Sequence, residues 1–119
     1  SIDFFTHLGY SFNAQFTDEN AACLVISENI YAMLITHPVF QTFTPKAICD
    51  ATKTTEVLVA LSCASREEVG EIMQKAVAAG GTLYNEPKDH GFMLQHGFQD
   101  PDGHIWEYLY MDPSFVQPT

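Results

Sequence analysis

The stretch Asp100-Pro-Asp-Gly-His-Ile-Trp-Glu-Tyr-Leu-Tyr110 sets one carboxylate, Glu107, inside an apolar and aromatic run. Alternation predicts a strand over 104–111, with His104, Trp106, Tyr108 and Tyr110 on one face. Ile105, Glu107, Leu109 and Met111 take the other. The preceding FMLQHGFQ (92–99) predicts a partner strand, and DPDG, with proline in second place, predicts the turn between them. A symmetric four-residue turn pairs Phe98 with Ile105, His96 with Glu107 and Leu94 with Leu109. On that register an imidazole and a carboxylate are cross-strand neighbours, a candidate acid–base couple or the start of a divalent-metal site. The plainer reading is that His96 only satisfies Glu107.

Upstream, SREE (65–68) is a capping box, and Val69, Ile72, Met73, Ala76 and Val77 recur at helical spacing until Gly80-Gly81. TEVLVALSCA (55–64) predicts a buried strand before this helix, and TLYNEP (82–87) a strand after it. The second half therefore reads strand, helix, strand, strand, strand. In the first half, SIDFFTHLGY (1–10) predicts the end of a helix with Ile2, Phe5 and Leu8 on its stripe. SFNAQF (11–16), ACLVIS (22–27) and IYAMLI (30–35) follow as strands. The halves read as a degenerate duplication in which the first lacks a leading strand, expected upstream of Ser1. The predicted organisation is a single domain: a first module at 1–36, a connector at 37–54, a second module at 55–111 and a tail at 112–119.

The chain has 119 residues, 46% hydrophobic and 17% charged, enough for one globular core. Fifteen acidic residues against five basic ones give a net charge of −10, which argues against nucleic-acid or anionic-lipid partners. Cys23, Cys49 and Cys63 are widely spaced and odd in number, as expected of reduced thiols, and no apolar run reaches membrane-spanning length. These features point to the cytoplasm.

The duplicated order and the hairpin F-x-D-P-D-G-x-x-x-E, met by Phe98, Asp100, Pro101, Asp102, Gly103 and Glu107, resemble the vicinal oxygen chelate superfamily of glyoxalase, bleomycin-resistance and dioxygenase-like proteins. The resemblance implies an α+β fold in which two βαβββ modules curl a mixed sheet around a cavity, and it implies a homodimer. Metal-dependent members carry ligands on the first and last strands of each module. Glu107 matches one such position. Met33 and Leu58 fall at or near two others and cannot ligate a hard or borderline cation. The expected function is therefore binding of a small molecule in an apolar cavity with an acidic anchor and no cofactor. Tyr31, Met33, Leu58, Leu94, Phe98, Ile105 and Leu109 are the expected lining, with Phe40 and Phe43 at the mouth. The alternative is a metal-dependent, glyoxalase-like lyase or isomerase, or a dioxygenase, acting on vicinal oxygens. It would use Glu107 as ligand to Ni, Zn, Mn or Fe, and Glu107 with His96 as catalytic candidates.

Overall fold

Asp100 opens the last hairpin and organises it with both of its side-chain oxygens. One accepts from the backbone N–H groups of Asp102 and His104 at 3.0 and 2.9 Å, while the other accepts from Trp106 Nε1 at 3.0 Å. The Gly103 N–H donates to the Asp100 carbonyl, and the Asp100 N–H donates to the His104 carbonyl. Gly103 has φ +97°, a conformation that suits glycine, and a methyl there would meet the Ala51 carbonyl of the connector at 2.6 Å. The loop thus holds three residues closed by Asp100 and His104, a type I turn followed by a left-handed glycine.

With one loop residue fewer than a symmetric four-residue turn, the expected register changes. Strand β7 (Met93–Gln99) pairs with β8 (Ile105–Met111) so that Phe98 faces Trp106, Gly97 faces Glu107 and His96 faces Tyr108. The pairing of His96 with Glu107 is therefore corrected, because a one-residue shift sends alternate side chains to opposite faces. Leu94, His96 and Phe98 share a face with Trp106, Tyr108 and Tyr110. Gln95, Gly97 and Gln99 share the other with Ile105, Glu107 and Leu109.

The computed structural model describes residues 1–115, so the end of the expected tail, 116–119, lies outside the described residues. Helix α1 (Ile2–His7) leads into β1 (Ser11–Phe12), β2 (Ala21–Ser27) and β3 (Ile30–Ile35), an antiparallel sheet in the order β1-β2-β3. A short helix α2 (His37–Phe40) opens the connector. Then come β4 (Val59–Ser62), α3 (Arg66–Ala78), β5 (Thr82–Leu83) and β6 (Lys88–Asp89) before the final hairpin. The second sheet has the order β4-β8-β7-β5, with β6 also on β7 and β4 parallel to β8. The result is a mixed α+β fold with curved sheets and few helices. Among the described residues no helix is long and apolar enough to cross a membrane.

Several expected elements are shorter than their apolar pattern. SFNAQF keeps only two strand residues, because the Asn13 side chain accepts from the Gln15 N–H and starts a 3-10 turn at Ala14–Phe16. TLYNEP breaks after Leu83. TEVLVALSCA is a strand only over Val59–Ser62, and Val57 and Leu58 are exposed, since β4 pairs on one side only among the described residues. On α1, Phe4 joins Phe5 and Leu8 inside while Ile2 stays outside.

The core lies between the helices and the aromatic face of β7 and β8. Phe4 meets Phe98 edge-on at 5.5 Å, Phe5 meets Trp106 at 4.9 Å, and Phe98 stacks on Tyr108 at 5.7 Å. Val69, Met73 and Ala76 supply the buried stripe of α3, whose N-terminus is capped by Ser65 Oγ accepting from the Glu68 N–H. The Glu68 carboxylate returns to the Ala64 N–H, one residue earlier than a standard capping box. Tyr10 and Tyr108 share a hydroxyl–hydroxyl bond of 2.7 Å at the edge of this core.

Two outcomes are expected from this packing. Asp100→Ala strips three hydrogen bonds and strands the Trp106 N–H, and urea unfolding should show a loss of about 3 kcal/mol. Burial raises the Tyr10 and Tyr108 phenols above the ordinary tyrosine value, and at Tyr108 the nearby Tyr10 adds to it. Because the folded values lie above the unfolded value of about 10, this contribution is fully present below that pH. It is lost as pH rises towards the folded values. Phenolate absorbance of the native chain should therefore lag that of the urea-unfolded chain, and stability should fall above about pH 10.

Candidate functional site

Glu107 sits mid-strand on the face of β8 that points away from the helices, yet it is only 6% exposed. Polar neighbours bury it. Gln95, diagonal to it on β7, donates from Nε2 to one carboxylate oxygen at 2.8 Å. The Tyr84 hydroxyl donates to the other oxygen. A carboxylate accepts, and both partners are donors, so the group is satisfied without an ion pair.

Gly97 makes this arrangement possible. It stands directly across from Glu107, and a methyl there would lie 2.9 Å from the Tyr84 hydroxyl and 2.8 Å from the Trp106 carbonyl. Only a residue without a side chain lets the phenol cross the strand. The Tyr84 phenol is pushed well above the ordinary range, first by burial and then by the hydrogen bond and charge of Glu107. It is therefore a proton donor at neutral pH.

His96 lies on the opposite face and donates from Nε2 to the Asn85 carbonyl at 2.9 Å. Leu94 and Phe98, expected beside Glu107, also lie on that face; Phe98 is fully buried in the core. Ile105 and Leu109 do share the Glu107 face and are half-buried. On β4 the residue in register with Glu107 is Ala60, and Leu58 precedes the strand. Met33, across from Cys23 on β2, is 50% exposed, as is its strand neighbour Tyr31 at 53%. Phe40 and Phe43 are exposed on the connector, Phe43 at 72%.

Tyr84 and Gln95 are the polar groups that the sequence reading missed. Both follow once the hairpin is read as a three-residue loop. Gln95 then becomes the diagonal neighbour of Glu107, and Gly97 becomes the gap that Tyr84 fills.

A chelate does not fit these residues. Both Glu107 oxygens are engaged, its lateral neighbours are Gly97 and Ala60, and among the described residues no three His, Cys, Asp or Glu side chains gather. Two surface grooves flank α3: one of about 490 Å³ beside Tyr10 and Glu68, and one of about 250 Å³ beside Arg66 and Asp112. Neither includes Glu107. Arg66 is already occupied, pairing with Asp89 at 3.0 Å and donating to the Gly91 carbonyl. Cys63, between β4 and α3, has its thiol pushed up to about 11 by burial and by Glu68, so it is a poor nucleophile.

With this geometry in hand, comparison with known proteins is informative. A hypothetical protein from S. aureus superposes with a TM-score of 0.78 at 26% identity, covering 92% of this chain and 82% of that one. A glyoxalase-related enzyme from Fulvimarina pelagi gives 0.77 at 22% identity over 92% and 77%. A bleomycin resistance determinant encoded on the transposon Tn5 gives 0.62 at 15% over 93% and 86%. The last two show the fold alone. A search of curated protein sequences returns no match. The family model described as Glyoxalase/Bleomycin resistance protein/Dioxygenase superfamily matches residues 1–108, and the chain belongs to that family.

Proposed function

We propose that this chain is a small-molecule-binding member of its family that works without a metal, using Glu107 as an acidic anchor. The observation that carries this reading is the setting of Glu107. It is a buried carboxylate on the sheet face away from the core, supported by two neutral donors rather than by further metal ligands. A desolvated carboxylate of this kind favours a cationic or strongly donating ligand group. The net charge of −10 draws such ligands in. Exposed Tyr31, Met33, Leu58, Phe40 and Phe43 offer apolar and aromatic area for the remainder of a ligand. The resistance determinant among the structural neighbours makes a bleomycin a reasonable first probe. The protein works as a homodimer in the cytoplasm.

The rival reading is a metal-dependent lyase, isomerase or dioxygenase acting on vicinal oxygens. Its support is the family itself and the position of Glu107 on the last strand.

Calorimetric titration of bleomycin and of benzamidine into the wild-type protein and Glu107→Gln tests the anchor. Binding at least about tenfold weaker in the variant is expected, the cost of removing a charged acceptor. Incubation with Ni, Zn, Mn or Fe followed by elemental analysis should give less than stoichiometric metal. Stoichiometric uptake that disappears in Glu107→Ala would sink the metal-free reading.

A further inference from the structure

Each Glu107 oxygen already accepts one hydrogen bond and the residue is only 6% exposed, so a ligand that reaches it must first move a neighbour aside. Gln95 is badly placed to leave. It lies in the middle of β7, paired to Leu109 on one side and Lys88 on the other, so its backbone is fixed by both neighbouring strands. Tyr84 is different. β5 pairs Thr82 and Leu83 with Gln99 and Phe98, and β6 resumes at Lys88 opposite Gln95. Residues 84–87 are four residues set against only two, His96 and Gly97, so they bulge out of the ladder. Tyr84 is 39% exposed, and its hydroxyl alone reaches into the buried site.

Two further features mark this bulge as a movable piece. The Asn85 carbonyl is tethered to His96 Nε2, whereas the buried Asn85 side-chain oxygen has no hydrogen-bond partner among the described residues. The closed position of the bulge therefore carries an unsatisfied acceptor, which opening to water would relieve. The route of the phenol also depends on Gly97, where a methyl group would lie 2.9 Å from the Tyr84 hydroxyl.

We propose that Tyr84 is an affinity-setting latch: its phenol holds Glu107 in the ligand-free protein, and an amine, amidine or guanidine cation, a donor strong enough to displace it, takes its place. This rests on the reading of Glu107 as the anchor. The latch sets the threshold that a ligand must pass to reach it. A neutral hydroxyl or amide exchanges one neutral donor for another and gains little, whereas a cation gains a charge-assisted bond where the phenol gave a neutral one. Ligand and phenol compete for the same oxygen, so the fraction of protein with the latch open sets the apparent affinity.

Benzamidine and its neutral analogue benzamide, titrated calorimetrically into the wild type, Tyr84→Phe and Glu107→Gln, separate the possibilities. Tyr84→Phe should bind benzamidine about tenfold more tightly than wild type, because the competing donor is gone. Benzamide should gain by the same factor, leaving the preference for benzamidine unchanged, because opening the latch costs both ligands the same. Glu107→Gln should lose benzamidine. If Tyr84→Phe binds equally or more weakly while Glu107→Gln still loses the ligand, the anchor stands and the latch is wrong. Benzamidine binding that survives Glu107→Gln, or none by any of the three proteins, overturns the anchor and the latch with it. Circular dichroism melts of both variants confirm that each is folded under the titration conditions.

Discussion

The Asp100 carboxylate decides where every side chain of the last two strands points. By accepting from two backbone N–H groups of its own turn and from the Trp106 indole, it fixes a three-residue loop in place of a symmetric four-residue one. One residue of register is the whole difference between a face of stacked aromatics and a face of glutamines and glutamate. The indole bond ties this local turn to the core, because Trp106 also meets Phe5 of α1. Turn chemistry, strand register and helix packing are therefore a single constraint. The functional face is what remains after the aromatic face has been claimed.

On that face the polar groups work in a setting that β-sheets rarely provide. A buried carboxylate costs several kcal/mol unless it is paired and hydrogen-bonded (of that order in apolar surroundings). Glu107 is held by two neutral donors, one on each oxygen, and not by a cation. That separates Glu107 from an ion pair such as Arg66 with Asp89 on the surface. In the surface pair both charges are already spent on each other.

Much of this was legible in the sequence, and the limits have physical causes. The F-x-D-P-D-G-x-x-x-E hairpin, the capped helix at Arg66–Ala78 and the alternation along 105–111 carry strong local signals, because turn, cap and pleat are each set within a few residues. Register carries no such signal. DPDG is compatible with loops differing by one residue, and only the tertiary contacts of Asp100 and Gly103 choose between them. The placement of His96, Leu94 and Phe98 failed for that reason alone. Tyr84 was hidden by a second non-local effect. TLYNEP has the composition of a continuous strand, yet the ladder breaks after Leu83, and the break frees the tyrosine to reach across. The overshoot at TEVLVALSCA has the opposite cause, since apolar content alone does not distinguish a strand paired on both sides from an edge strand.

The two halves of the chain show what a site needs beyond a carboxylate. β2 and β3 repeat the plan of β7 and β8, and in that correspondence Met33 stands where Glu107 does. Its cross-strand partner is Cys23, where Glu107 has Gly97. Cys23 is buried and fills its place, so no side chain could cross β2 to reach position 33 as Tyr84 crosses β7 to reach Glu107. A glutamate at Met33, which is 50% exposed, would stand in solvent and not in a desolvated site like that of Glu107. Carboxylate and opposing glycine form a unit, because the glycine admits the phenol that covers the carboxylate. The asymmetry between the halves is thus written in two residue pairs, Met33 with Cys23 and Glu107 with Gly97.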